Sequence, residues 1–152
     1  IMVFVFFGFV FVLGVFSLYG LDFEWLTLLP ALSMGSWSAA VLNLNNMRDV
    51  ENDKASGKNT IAVKLGAKRA TYYHASLVLL GMFSWSILIG TFFYLTMNPF
   101  IYIALIPSFL FFPHLRTVFS SGNPKSLDPE LKKVALIAFS SAILLVLSLL
   151  IL

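Results

Sequence analysis

The sequence predicts an all-α protein, a polytopic transmembrane bundle of about five spanning helices forming one domain over residues 1–152. Three observations predict it. Hydrophobic residues make up 59% of the chain and charged residues only 11%, with a mean hydropathy of +0.92. A soluble domain carries roughly a quarter charged residues to keep its surface wet, so lipid must solvate most of this surface. The apolar sequence also comes in blocks of the length that crosses a bilayer, about 20 helical residues for about 30 Å of hydrocarbon. Finally, all ten lysines and arginines fall in only two of the segments between blocks.

The elements follow in order. Ile1–Leu21 holds no Asp, Glu, Lys or Arg and reads as the first span. It enters apolar sequence at once, with no basic leader or cleavage-site pattern, so the expectation is a chain entered part-way rather than a signal peptide. Asp22 and Glu24 mark a short polar turn, and Trp25–Leu44 is the second span, with Trp25 as an interfacial anchor. Asn45–Arg69 is dense in charge and amide. Ala70–Leu115 has no charged residue and is too long for one crossing; Asn98-Pro99 divides it into spans near Tyr72–Met97 and Phe100–Phe119. Pro107 and Pro113 each remove a backbone donor and should kink the second of these. Arg116–Lys133 is a polar loop with a turn at Ser121–Pro124, and Val134–Leu152 is the fifth span.

Charge sets the orientation. Arg48, Lys54, Lys58, Lys64, Lys68 and Arg69 lie in one loop, and Arg116, Lys125, Lys132 and Lys133 in the other. Five spans put both loops on one side, which the positive-inside rule makes the cytoplasm. The expected setting is an integral, multi-pass protein of a bacterial inner membrane. With no Cys, disulfides, thiolate chemistry and Cys-based metal sites are excluded, and no nucleic acid is expected as a partner.

The chemistry concentrates in Asn45–Gly66. The second span is expected to continue as helix past Asn45, since nothing before Ser56-Gly57 stops it. Residues three and four apart share a helix face, which lines up Asn46, Asp49 and Asp53 with Asn45 beside them. Two carboxylates at i and i+4 can reach one divalent ion, and such hard oxygen ligands suit Mg²⁺ held jointly with substrate phosphates. Arg48, Lys54 and Lys58 flank the carboxylates, and a turn at Gly57 lets the chain fold back toward them. Acid and base together at a membrane surface make a receptor for a diphosphate. An ordinary charged loop is the competing account, but ionisable groups at the end of a spanning helix weigh toward function.

The string Asn45-Asn46-x-Arg48-Asp49-x-x-x-Asp53, then Gly57-Lys58-x-Thr60 and a closing Leu65-Gly66, resembles the second aspartate-rich motif of the UbiA superfamily of intramembrane prenyltransferases. Its opening and its Gly57-Lys58-Asn59-Thr60 run resemble the 1,4-dihydroxy-2-naphthoate polyprenyltransferase branch. The resemblance implies that Asp49 and Asp53 are catalytic Mg²⁺ ligands and that Asn45, Asn46, Arg48, Lys54 and Lys58 hold substrate. It implies a polyprenyl diphosphate donor, an aromatic acid acceptor and a role in menaquinone synthesis. It also implies a bundle of about nine helices, of which this chain is the C-terminal part. The family's first aspartate-rich motif lies in the N-terminal half, which is the expected partner, and a chain holding only the second motif is expected to be inactive.

Other readings stay open at this level: a different acceptor such as 4-hydroxybenzoate or homogentisate, a transporter, or a non-catalytic membrane subunit. Transport predicts ionisable residues in mid-membrane, and none lies between the two loops. His74 and His114 read as interfacial or packing residues rather than catalysts, Arg116 as a positive-inside anchor, and Tyr72, Tyr73 and Tyr102 as belt residues.

Overall fold

A computed structural model describes residues 1–151, and these are helical almost throughout. The helices are α1 (Met2–Leu18), α2 (Trp25–Arg48), α3 (Val50–Ala55), α4 (Ile61–Leu65), α5 (Ala67–Thr96), α6 (Pro99–Ser120) and α7 (Pro124–Leu150). Of these, α2, α5, α6 and α7 are long and apolar enough to cross a membrane. The first expected span is shorter than the others: α1 ends at Leu18, just before Gly20 turns the chain at φ +67°.

The breaks have local causes. Met97 adopts a left-handed φ of 53° that ends α5, and the Asn98 side chain accepts from the Phe100 N–H at 3.0 Å to start α6. The irregularity expected from the prolines of α6 takes the form of a 3₁₀ stretch, Pro99–Leu110, with Pro107 inside it. A 3₁₀ run of that length is uncommon. It gives way to α-helix at Phe111.

Helix α2 is the hub, packing against α1, α5 and α7, while α6 packs against α5 and α7. Two kinds of contact let it sit there. Small residues bring α1 close: a Cβ on Gly8 would fall 2.5 Å from the Ala31 carbonyl and 3.1 Å from Gly35 Cα. Helices in lipid have no hydrophobic drive to associate, so close backbone approach at small residues is how they gain contact. On the opposite side, Trp37 of α2 meets Trp85 of α5 and Phe111 of α6 with ring centroids 5.7 and 5.3 Å apart. The Trp85 indole also donates to the Ala104 carbonyl at 3.1 Å.

Gly81 opens the slot for the Trp37 ring, because a Cβ there would lie 2.3 Å from Trp37 Nε1. Gly81→Ala therefore forces a buried ring to move, an overpacking loss of about 1–3 kcal/mol. Thermal unfolding of the full protein in detergent should show a lower midpoint, whereas Gly90→Ala, where a Cβ meets nothing within 4 Å, should leave it equal or slightly higher, since alanine favours the helix interior.

Candidate functional site

Helix α2 leaves α geometry at Asp49 (φ −97°, ψ 11°), but its hydrogen-bond ladder continues across the break. The Asp49 N–H donates to the Asn45 carbonyl at 3.0 Å and the Asp53 N–H to the Asp49 carbonyl at 2.9 Å. Asn45, Asp49 and Asp53 thus fall at successive i+4 positions of one row, running from the end of a spanning helix into α3. The helix does continue past Asn45 as expected.

Helix α3 closes with a Schellman turn. The Gly57 N–H donates to the Lys54 carbonyl at 3.1 Å and the Lys58 N–H to the Asp53 carbonyl at 2.9 Å, with Gly57 at φ +69°. That left-handed conformation favours glycine at this step. The turn carries Lys58 back along α3 and leaves its ammonium 3.4 Å from Asp53. Thr60 then caps α4 through its hydroxyl, which accepts from the Val63 N–H at 3.4 Å. The spacing of Asp53, Gly57, Lys58 and Thr60 is therefore that of a helix end, a reversal, an ion pair and a new helix start.

Arg48 gathers the front of the row. Its Nε and Nη2 donate to the two oxygens of Asp49 at 2.9 and 2.8 Å, and Nη2 donates also to Asn45 Oδ1 at 2.7 Å. Its Nη1 reaches Asp128 at the start of α7, at 2.6 Å. The hydrogen bonds from Arg48 hold the Asp49 carboxyl below the usual carboxylate range, against a smaller opposing effect of burial. Asp53 is deeper, only 7% exposed.

Of the residues singled out in the sequence, the structure thus joins Asn45, Arg48 and Asp49 in one network and pairs Asp53 with Lys58. Asn46 instead borders a small cavity with Asn43, Ile61 and Tyr73, beside α1. Lys54 is exposed and makes no ion pair among the described residues. The Arg48–Asp128 contact also brings the two basic loops to the same end of the bundle, as the span count requires.

Two carboxylates in one row are a fitting donor set for Mg²⁺, which is commonly held by one or two carboxylates with phosphate and water completing the shell. The described residues contain no cluster of three or more His, Cys, Asp or Glu placed to hold an ion. Within the row, Asp49 and Asp53 are the carboxylates that could serve such an ion.

A family model for the UbiA prenyltransferases matches residues 1–139. The chain belongs to the UbiA prenyltransferase family. It is 34% identical over 152 residues to a 1,4-dihydroxy-2-naphthoate octaprenyltransferase of Haemophilus influenzae, covering 99% of this chain and 48% of that protein. Proteins of the same description from Escherichia coli and Mycobacterium leprae are 43% and 42% identical over 79 and 90 residues, or 52% and 59% of this chain and 26% and 31% of theirs. The chain spans about half the length of the Haemophilus relative. No solved structure matches it. With its apolar helices, this UbiA chain is an integral, multi-pass membrane protein.

The sequence reading missed a second polar network next to the row. His74 of α5 and His114 of α6 are packing residues, as expected, but they pack on each other: they are 0% and 1% exposed, and their Nε2 atoms lie 2.8 Å apart. His114 Nδ1 is 2.6 Å from Glu130, which is itself 1% exposed and also bonds the Lys133 ammonium. Glu130 belongs to α7 rather than to a polar loop, so the bundle does contain buried ionisable groups. The signal was helical phase. Leu127, Glu130, Val134, Ile137 and Ser141 share the buried face of α7, and Ala70, His74, Leu77 and Gly81 share that of α5.

Leaving a buried hydrogen-bond donor without its acceptor costs about 1–3 kcal/mol. Glu130→Ala takes the acceptor from both His114 and Lys133 and should lower the unfolding midpoint of the full protein sharply. Glu130→Gln keeps an acceptor oxygen and should lose less. Equal losses would mean that the hydrogen bonds contribute nothing beyond the charge.

Proposed function

We propose that the full protein is a Mg²⁺-dependent polyprenyltransferase that moves a polyprenyl group from its diphosphate to 1,4-dihydroxy-2-naphthoate in menaquinone biosynthesis. The observation that carries the reading is the row Asn45, Asp49, Asp53 with Arg48 and Lys58 bonded to it, at the end of a spanning helix. The acceptor is supported by the descriptions of the relatives, each a 1,4-dihydroxy-2-naphthoate octaprenyltransferase.

Asp49 and Asp53 are the carboxylates that would hold Mg²⁺, and the Asn45 amide oxygen steadies Arg48 on the substrate side of the same row. The ion, when bound, supplies positive charge to the diphosphate as it departs. Arg48 and Lys58 are placed to neutralise the remaining phosphate oxygens, and such groups help most where charge grows in the transition state. Asn46 and Lys54, which lie off the network, are assigned to the substrate rim. Ionisation of the allylic carbon–oxygen bond leaves a cation that must meet the acceptor ring carbon before water does, so a water-excluding interior is required. The C–O electron pair leaves with the diphosphate, the ring carbon that bears the carboxylate then attacks the allylic cation, and loss of that carboxylate as CO₂ returns the electron pair to the ring.

The tail needs an apolar path. A groove of about 630 Å³ lies toward the opposite end of the bundle from the row, lined by Phe11, Met34, Trp85, Leu88, Phe92 and Leu145 among others. Its walls are almost wholly hydrocarbon and aromatic, a surface suited to isoprene units. The two basic loops are assigned to the cytoplasm by the positive-inside rule. An N-terminal half carrying the first aspartate-rich motif is assigned to the opposing wall of the site.

Membranes containing the full protein, given an allylic polyprenyl diphosphate, Mg²⁺ and either dihydroxynaphthoate or hydroxybenzoate, test the reading by mass spectrometry of lipid products. Product from the naphthoate is expected, abolished by EDTA and reduced at least about 10²-fold by Asp49→Ala or Asp53→Ala, as for loss of a central electrostatic group. Product only from hydroxybenzoate would move the acceptor. Undiminished product in either variant would remove these carboxylates from the mechanism.

A further inference from the structure

We infer that Asp128 is a positioning residue for the diphosphate site: it gives the Arg48 guanidinium a second anionic seat, so that Arg48 can release Asp49 without leaving the site. The inference rests on the diphosphate reading above and adds a residue from outside the motif.

Asp49 is closed as the structure stands. Both of its oxygens lie in the Arg48 fork, at 2.9 and 2.8 Å. A carboxylate so occupied presents a positive charge at its mouth, which repels a metal from its remaining lone pairs until the fork opens. Asp53 is under no such restraint, since Lys58 stands 3.4 Å away on an exposed, flexible stem. Opening the fork would strip Arg48 of its counterion if Asp49 were its only partner. It is not the only one. Nη1 bonds Asp128 at 2.6 Å and Nη2 bonds Asn45 at 2.7 Å. A rotation that keeps those two contacts frees Nε and one Nη2 hydrogen, and a guanidinium has five such donors in a rigid fork that suits phosphate oxygens. Asp128 thus converts Arg48 from a plug on Asp49 into a cation with donors to spare.

An exposed ion pair is ordinarily worth little, because two side chains must be held in one geometry. Here the seat is already held. Asp128 has a short side chain and begins the regular α-helical part of α7, two residues before Glu130, which is locked to His114 and through it to His74. The buried network fixes the start of α7 against α5 and α6, and so fixes the acceptor offered to Arg48. With its side chain 67% exposed, Asp128 can be replaced without opening a hole in the core.

The test uses the full protein in detergent, with Mn²⁺ as the probe metal and inorganic pyrophosphate as the probe anion, and bound Mn²⁺ read by electron paramagnetic resonance. Asp128→Ala should raise the Mn²⁺ concentration for half-saturation about tenfold, the effect of losing one charge-assisted hydrogen bond. Asp128→Glu should restore most of the affinity. In an Arg48→Ala background, Asp128→Ala should add nothing, because Asp128 acts only through Arg48. Unchanged Mn²⁺ affinity in Asp128→Ala, or an additive loss in the double variant, would overturn the inference while leaving the transferase reading in place. Wild-type protein that binds no Mn²⁺ with pyrophosphate, yet is folded, would remove both.

Discussion

The candidate site depends on the Arg48 guanidinium. It joins the motif helix to itself, through Asn45 and Asp49, and to α7, through Asp128. Acidic groups at the end of an apolar helix repel one another and are costly to desolvate unless paired. Placing the cation one residue before the first carboxylate settles that repulsion locally. Its third contact makes the motif a property of the bundle rather than of one loop. Lys58 does the same for Asp53, but it arrives by a backbone reversal at Gly57 and holds less tightly.

Everything behind the site serves to hold α2 in place. Glycines at its contact with α1 and the aromatic cluster around Trp37 fix its lateral position. The chain of His74, His114 and Glu130 fixes the starting turns of α7 against α5 and α6. The two Nε2 atoms of that chain share a single proton, since two N–H groups facing each other across 2.8 Å would repel. Polar networks of this kind define a unique packing, provided that their members are paired. The outer nitrogen, His74 Nδ1, has no hydrogen-bond partner of full geometry among the described residues.

Much of this was legible in the sequence, and the reasons differ by element. Block length and charge placement located the helices, because a bilayer imposes both a length and a sign on the chain. The row from Asn45 to Asp53 was legible because i+4 spacing survives the local break at Asp49. The Gly57 reversal was legible because few residues other than glycine adopt its φ. What was not legible is contact between distant segments. Nothing local ties Arg48 to Asp128, eighty residues on, and the histidines look isolated until three helices meet. Glu130 was misplaced because a run of charges reads as a loop. Its phase with Val134 and Ile137 shows a helix whose buried face begins before the apolar block does.

The most direct measurement is a structure of the full protein with Mg²⁺ and a non-cleavable prenyl thiodiphosphate. The account predicts metal about 2.0–2.1 Å from carboxylate oxygens of Asp49 and Asp53, with Arg48 and Lys58 turned onto the phosphates and the prenyl chain running into the apolar interior. A diphosphate bound elsewhere, with Arg48 still closed on Asp49, would contradict it.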